Sequence, residues 1–295
     1  MPKKDLQTAS LENDVLRIEY LTSGALRLVG LYVNSSDNLL ALKPAIQLPL
    51  GECDYPLIGG HRLWASPEKP GWSYGLEADI PLEAESRHNH LRLIQSQPES
   101  ANGLRKEMQI RLDEHAPRLT IEHRLINDGD SPVTAAPWAL SVLPVGGVVL
   151  LPFPREDSDS SLLPERNLVF WPYTNPETLR MTYLPDAVLL PTTGRKSPSK
   201  IGTYLKAGWC GYYKDGIFFK KQIRDQKPVH NYPDFGCSCE AYLSDGFLEL
   251  ETLGPLTAIP PGESAVHTET WELLTDLSLD SDTAPYLEIL EEVTQ

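Results

Sequence analysis

The stretch EAYLSDGFLELETLGP, Glu240 to Pro255, holds three glutamates, Glu240, Glu249 and Glu251. Clustered carboxylates can trade protons, hold a cation or bind hydroxyl pairs, provided that they share a face. Asp245-Gly246 between two alternating runs is a strong signal for a two-residue hairpin loop. With that loop, Ser244 stands opposite Phe247, Leu243 opposite Leu248, Tyr242 opposite Glu249, Ala241 opposite Leu250, and Glu240 opposite Glu251. Period 2 then puts Glu240, Tyr242, Glu249 and Glu251 on one face and Leu243, Leu248 and Leu250 on the other. Cys237 and Cys239 fall on the leucine side and read as core.

Like charges directly opposite each other destabilise a sheet. Three arrangements relieve Glu240 and Glu251: full exposure to water, a cation between them (a metal ion or an arginine), or a proton retained by one carboxyl whose pKa its neighbour raises. Tyr232, Asp234 and Phe235 gather just before the hairpin, and a tight turn follows Glu251. Such a mixture suits a sugar: aromatic faces cover its C–H surface and carboxylates take its hydroxyl pairs. The three glutamates with Asp234 could ligate calcium through oxygen, but no EF-hand spacing is present. No metal and no cofactor is expected.

The elements that must hold this face are strands. VLRIEYL (15–21), ALRLVGLYV (25–33), HLRLIQSQ (90–97), KEMQIRLDE (106–114), RLTIEHRLIND (118–128) and SAVHTETWELL (264–274) all alternate and are bounded by turn residues, as half-buried antiparallel strands do. His123 shares a face with Leu119, Ile121 and Leu125 and reads as a buried core histidine. His267 shares one with Glu269 and Trp271 and reads as rim. Helix signals are confined to 284–295, with one possible turn in 175–186. The segments 44–81 and 152–198 are rich in proline and aromatics and read as long ordered loops walling a site. One all-β antiparallel domain spanning 1–295 is the simplest account.

The chain has 295 residues, 41% hydrophobic and 23% charged, with a formal net charge of −15. That charge argues against nucleic acid and anionic membrane surfaces as partners. No apolar run approaches a membrane span and no signal-like h-region follows Lys3-Lys4, so a cytoplasmic location is expected. Four cysteines make neither a disulfide framework nor a zinc pattern. No dinucleotide, Walker, zincin or nucleophile-elbow motif occurs. The sequence sets no oligomeric state.

FLELETLGPLTAIPPGESAVHTETWELL resembles the C-terminal part of galactose mutarotase-like proteins, relatives of aldose 1-epimerase. GGHRLWASPE (59–68) is similar to the family's early loop with a substrate-binding arginine. HRLINDGDSPVTAAPWALSVLPVGG (123–147) is similar to the mid-chain strand leading to the family's catalytic histidine. The resemblance implies a β-supersandwich of antiparallel strands with few short helices and a sugar cleft on a concave sheet. It also implies anomer interconversion of a free sugar or sugar phosphate. Carried over by motif, Glu251 is the general base and Arg62 binds substrate hydroxyls.

The chain departs from the family where it reads Pro137-Trp138-Ala139, with no histidine. His61, Lys206 and His267 are the candidate substitutes for the acid. Candidate catalytic residues are thus Glu251 and His61. Candidate substrate-binding residues are Arg62, Trp64, Trp138, Lys206, Asp234, Glu240, Glu249 and His267. Arg62 doubles as a candidate cation between Glu240 and Glu251, and Trp171 and Trp209 as further stacking surfaces. Two other functions fit the same residues: non-catalytic sugar binding or sensing, and glycoside hydrolysis or lysis by paired carboxylates.

Overall fold

The computed structural model describes residues 6–50, 53–73, 80–153, 164–193, 197–275 and 277, with backbone only for 44–50 and 53–56. Two antiparallel ten-stranded sheets carry nearly all of the secondary structure. The first runs β1 (Thr8–Glu12), β2 (Leu16–Leu21), β3 (Arg27–Val33), β6 (His61–Ser66), β11 (Val133–Leu143), β20 (Leu248–Leu253), β19 (Cys239–Leu243), β16 (Ser199–Thr203) and β13 (Val169–Phe170), with β21 (Thr257–Ile259) paired to β11. The second runs β14 (Thr182–Tyr183), β15 (Ala187–Pro191), β12 (Val148–Pro152), β17 (Trp209–Lys214), β18 (Ile217–Ile223), β22 (Ser264–Leu274), β10 (Arg118–Asn127), β9 (Leu104–Leu112), β8 (His90–Gln95) and β7 (Leu82–Arg87). A two-stranded ribbon, β4 (Leu42–Leu50) and β5 (Cys53–Gly59), stands apart.

The alternation read from sequence is what joins the sheets. Leu91 and Leu93 of β8, Met108, Ile110 and Leu112 of β9, and Leu119, Ile121 and Leu125 of β10 are buried in one apolar cluster with Leu16, Ile18, Leu28, Leu63 and Leu250 of the first sheet. Alternate side chains of facing strands interdigitate there, which is the packing of a β-sandwich. The hairpin register is as expected: Glu240 opposes Glu251, Tyr242 opposes Glu249, and Ser244 N donates to Phe247 O at 2.9 Å.

Three expectations need correction or bounding. The segment 44–81 is not loop throughout, because β4, β5 and β6 run through 42–66. Three of its prolines, Pro44, Pro49 and Pro56, fall in the two-stranded ribbon, where a missing N–H breaks no central ladder. The segment 152–198 likewise contains β13 to β15. Cys237 lies on the carboxylate side rather than the leucine side. Strand alternation starts only at Cys239, and the turn Pro233–Gly236 re-aims the chain so that the Cys237 sulfur fills the space above Gly202. The possible turn in 175–186 is a 3-10 turn at Pro176–Thr178, capped by Asn175. The helix expected at 284–295 lies outside the described residues.

Gly59 and Gly60, with φ of 97° and 72°, swing the chain from β5 into β6. A Cβ on Gly60 would run into the Leu28 carbonyl oxygen. Replacing Gly60 by alanine therefore combines left-handed strain with a backbone clash, and it should lower stability by at least ~2 kcal/mol in denaturant titration. A loss below about 0.5 kcal/mol would show that this turn does not hold β6.

Candidate functional site

Three central strands of the first sheet, β6, β11 and β20, each present one residue parity outward and the other toward the second sheet. The outer parity carries Arg62 and Trp64, then Trp138 and Leu140, then Glu249, Glu251 and Leu253. β19 adds Glu240 and Tyr242, and β16 adds Lys200 opposite Tyr242 and Gly202 opposite Glu240. The face is not solvated. Arg62 and Glu251 are 0% exposed, Glu240 1%, Lys200 4% and Glu249 9%. Leu57 of β5, with Ala41, packs over the Val142 and Phe247 end, and Trp64, Trp138, Leu140 and Leu253 form an apolar patch beside the charges.

The cation that lies between Glu240 and Glu251 is Lys200, not Arg62. Its ammonium lies 2.6 Å from Glu240 Oε2 and 2.9 Å from Glu251 Oε2. It also sits over the Trp138 and Trp171 rings, 4.6 and 4.8 Å from their centroids, as cation–π partners do. Arg62 pairs with Glu249 at 2.7 Å and stacks on Trp64. Trp138 Nε1 donates to Glu251 Oε2 at 2.6 Å. Among the described residues, Oε1 of Glu240 and Oε1 of Glu251 are buried without a hydrogen-bond partner. Burial lifts the Glu240 carboxyl well above the usual range, against the pull of Lys200 and with the help of Glu251. Burial raises Glu251 as well, again opposed by Lys200. Burial works against the Lys200 charge, but Glu240 and Glu251 outweigh it and hold its pKa well above an ordinary lysine's.

Of the residues singled out in the sequence, Glu251, Glu240, Glu249, Arg62, Trp64 and Trp138 meet on this face. Asp234 stands at its edge, in the left-handed turn before β19, with its charge acting on Glu240. Lys206 does not reach it. Past the end of β16 it lines a surface cleft of about 510 Å³ with Phe235 and Arg166, and lies 3.9 Å from Glu165. Trp209 packs on Phe218 in the second sheet. His61 and His267 are on the wrong side for a sugar on this face. His61 is the chain neighbour of Arg62, so its side chain points between the sheets. His267 belongs to β22 and is buried there, not at a rim.

Those histidines belong to a second polar cluster that spans the sandwich. His61 Nδ1 meets Ser141 Oγ at 2.9 Å, His61 Nε2 meets His123 Nε2 at 2.8 Å, and His123 Nδ1 meets the His267 carbonyl at 3.1 Å. A carbonyl only accepts, so the His123 proton is on Nδ1. His61 therefore carries its proton on Nε2 and accepts from Ser141. Lys221 Nζ donates to Ser141 Oγ at 3.3 Å, to Leu250 O at 3.2 Å and to Glu269 Oε1 at 2.9 Å. Glu269 also accepts from Thr252 and, at 2.7 Å, from Trp271 Nε1. His267 Nε2 donates to Thr252 at 2.8 Å. One ligand atom each from His61, His123 and Glu269 lie within 4.8 Å of one another. Each is already satisfied, and Lys221 supplies the positive charge that a metal ion would bring.

Lys200, Lys221 and Glu269 were not legible as site residues. Lys221 has a weak signal, a lysine inside the apolar run IFFKKQI. Lys200 follows a Ser-Pro segment and acquires meaning only when β16 pairs with β19.

No family model and no curated protein matches the sequence. Solved structures do match its shape. A galactose mutarotase-like protein from Lactobacillus casei ATCC 334 superposes with a TM-score of 0.51 at 13% identity, over 90% of this chain and 100% of that one. A candidate aldose 1-epimerase from Escherichia coli K12 gives 0.55 at 12%, over 92% and 99%. A TPR-domain containing protein from Parabacteroides distasonis ATCC 8503 gives 0.63 at 14%, over 92% of this chain, which spans 48% of that protein. The fold is that of the galactose mutarotase-like β-sandwich.

The cluster between the sheets makes stability depend on pH with a definite sign. Burial lowers His61 well below the usual histidine range and His123 from 6.5 to about 4. The unfolded chain takes up these protons near pH 6.5 while the folded one refuses them, so stability falls as pH drops from there. His123 alone contributes roughly 3 kcal/mol of loss by pH 4. Glu269 adds loss at still lower pH, because Lys221 holds it far below 4.5 against the effect of burial. At pH 7, Lys221→Met should cost about 3–5 kcal/mol by stranding Glu269, and adding Glu269→Gln should restore much of it. Chemical denaturation of the single and double variants checks both. A Lys221→Met protein as stable as wild type would dismiss the ion pair as a fastening.

Proposed function

We propose that the protein binds a free aldose on the outer face of the first sheet and interconverts its anomers, with Glu251 as the general base. The observation that carries this is the state of Glu251. Its Oε2 is fixed by Lys200 and the Trp138 indole, and its buried Oε1 has no partner among the described residues. A carboxylate held in that way is preorganised to take the anomeric hydroxyl proton. Arg62, anchored on Glu249, and the Trp64–Trp138 patch lie beside it, offering hydroxyl donors and a surface for sugar C–H groups. The fold shared with mutarotase-like structures supports the same reading. The free oxygens are closed off from solvent, so a sugar has to displace the cover. Tyr242 and Tyr173, the latter 50% exposed, border it.

A specific observation also favours a second reading, sugar binding without turnover. The position at which the family carries its acid reads Pro137-Trp138-Ala139, and His61 faces the far side of the sheet.

Exchange NMR on hexoses, pentoses, uronates and their phosphates separates the two. Wild type should speed α–β exchange for at least one sugar, and Glu251→Gln should cut kcat by about 10²–10⁴. Because burial raises the Glu251 pKa, the rate should fall with decreasing pH through a value above 4.5 rather than at it. Binding without faster exchange moves the protein to the second reading, and no binding to any sugar defeats both.

A further inference from the structure

If Glu251 is the base of an anomer exchange, the reaction still needs an acid, and the histidine is absent. This inference rests on the reading above and deepens it. We propose that Glu240 is the general acid, giving the proton on its Oε1 to the ring oxygen while Glu251 takes the proton of the anomeric hydroxyl.

The argument starts from charge. Arg62 pairs with Glu249, and among the described residues Lys200 is the cation in contact with both buried carboxyls, Glu240 and Glu251, with Glu68 adding a further negative charge that acts on it. One positive charge balances one carboxylate, and a second bare carboxylate buried at this depth is too costly to keep. One of the two therefore holds a proton. Hydrogen bonding decides which. Glu251 Oε2 accepts from both Lys200 and Trp138, and each donor favours the charged form. Glu240 has the single donor Lys200, and its other oxygen meets no donor among the described residues. Asp234 adds a further negative charge on the Glu240 side. The proton belongs on Glu240 and the charge on Glu251. Paired carboxyls driven apart in this way divide into acid and base.

Geometry then matches the reaction. The anomeric oxygen and the ring oxygen are bonded to the same carbon, so acid and base must reach neighbouring atoms. Glu240 and Glu251 are a directly opposed cross-strand pair with one ammonium 2.6 and 2.9 Å from their Oε2 atoms. Among the described residues neither Oε1 atom has a hydrogen-bond partner. In the opening step the anomeric O–H proton passes to Glu251, the C1–O1 double bond forms, the C1–ring-oxygen bond breaks, and the ring oxygen takes the Glu240 proton. The open aldehyde turns about C1–C2. Closure runs the transfers backwards and returns the proton to Glu240, so no oxidant, water or cofactor is consumed. Lys200 stays an ammonium throughout and holds the two carboxyls in register.

The test combines a probe that needs no substrate with one that does. In infrared difference spectra at pH 7, the C=O stretch of a protonated carboxylic acid should be present in wild type and lost in Glu240→Gln, where Glu251 alone faces Lys200. The substrate arm follows freshly dissolved α-D-glucose and α-D-galactose by polarimetry, with sugar affinity measured in parallel. Glu240→Gln should lower kcat at least ~100-fold while Kd changes less than about threefold, and added formic acid should restore turnover to Glu240→Ala but not to Glu251→Ala. Rescue of that kind would not follow from a merely structural salt bridge. If Glu240→Gln fails to fold, Glu240→Asp keeps both the acid and the Lys200 contact and should show the carboxylic acid band. Wild-type exchange that is lost in Glu251→Gln but kept in Glu240→Gln overturns Glu240 and leaves the base intact. A carboxylic acid band that persists in Glu240→Gln overturns the assignment without any sugar. No wild-type exchange on either sugar, with the band in place, defeats catalysis on these sugars and the acid role with it.

Discussion

Desolvation of ionisable side chains is the constraint that orders both faces of the first sheet. A lone buried charge is far too expensive to keep, so each one has to be matched by a counter-charge, a proton or a set of oriented donors. On the outer face the answer is Lys200 between Glu240 and Glu251, with Arg62 on Glu249. Between the sheets it is Lys221 on Glu269, with Thr252 and Trp271 completing the carboxylate's shell. Removing either cation would leave a buried carboxylate uncompensated.

The two clusters are physically one layer apart. His61 precedes Arg62, Ser141 follows Leu140 and Thr252 follows Glu251, so three adjacent strands feed both clusters from successive residues. Period 2 makes this possible, because each strand serves the outside with one parity and the interior with the other. The clusters differ in completeness. Between the sheets, neutral histidines and hydroxyls close into a chain in which both ring nitrogens of His61 and His123, the Ser141 and Thr252 hydroxyls and both Glu269 oxygens are used. On the outside, Oε1 of Glu240 and Oε1 of Glu251 have no hydrogen-bond partner among the described residues. A finished network fastens sheets together, and an unfinished one at the same depth has capacity left for a ligand.

The sequence carried the hairpin fully. Asp245-Gly246 fixed the loop length, the loop length fixed the register, and the register placed Glu240 opposite Glu251. The strands of the second sheet were equally open to reading, because Leu119, Ile121, His123 and Leu125 alternate without interruption. What could not be read was any partner supplied by a strand distant along the chain. Lys200 is 40 residues or more from both glutamates, and only the pairing of β16 with β19 brings it in. His61 failed for a different reason. Its motif placed it correctly in the chain, but the motif does not say which parity faces the sugar, and Arg62 takes the outward one.

That failure bears on the chemistry. A histidine directly next to Arg62 on a strand cannot share its face, so on the proposed reading His61 cannot supply the acid. On that reading the acid comes from across the sheet, from the cross-strand neighbour of the proposed base. Glu240 is the residue directly opposite Glu251, and Lys200 is what allows the two to coexist. The opposition that looks like an error of design in the hairpin is, in the assembled sheet, a lysine-bridged pair of buried carboxyls.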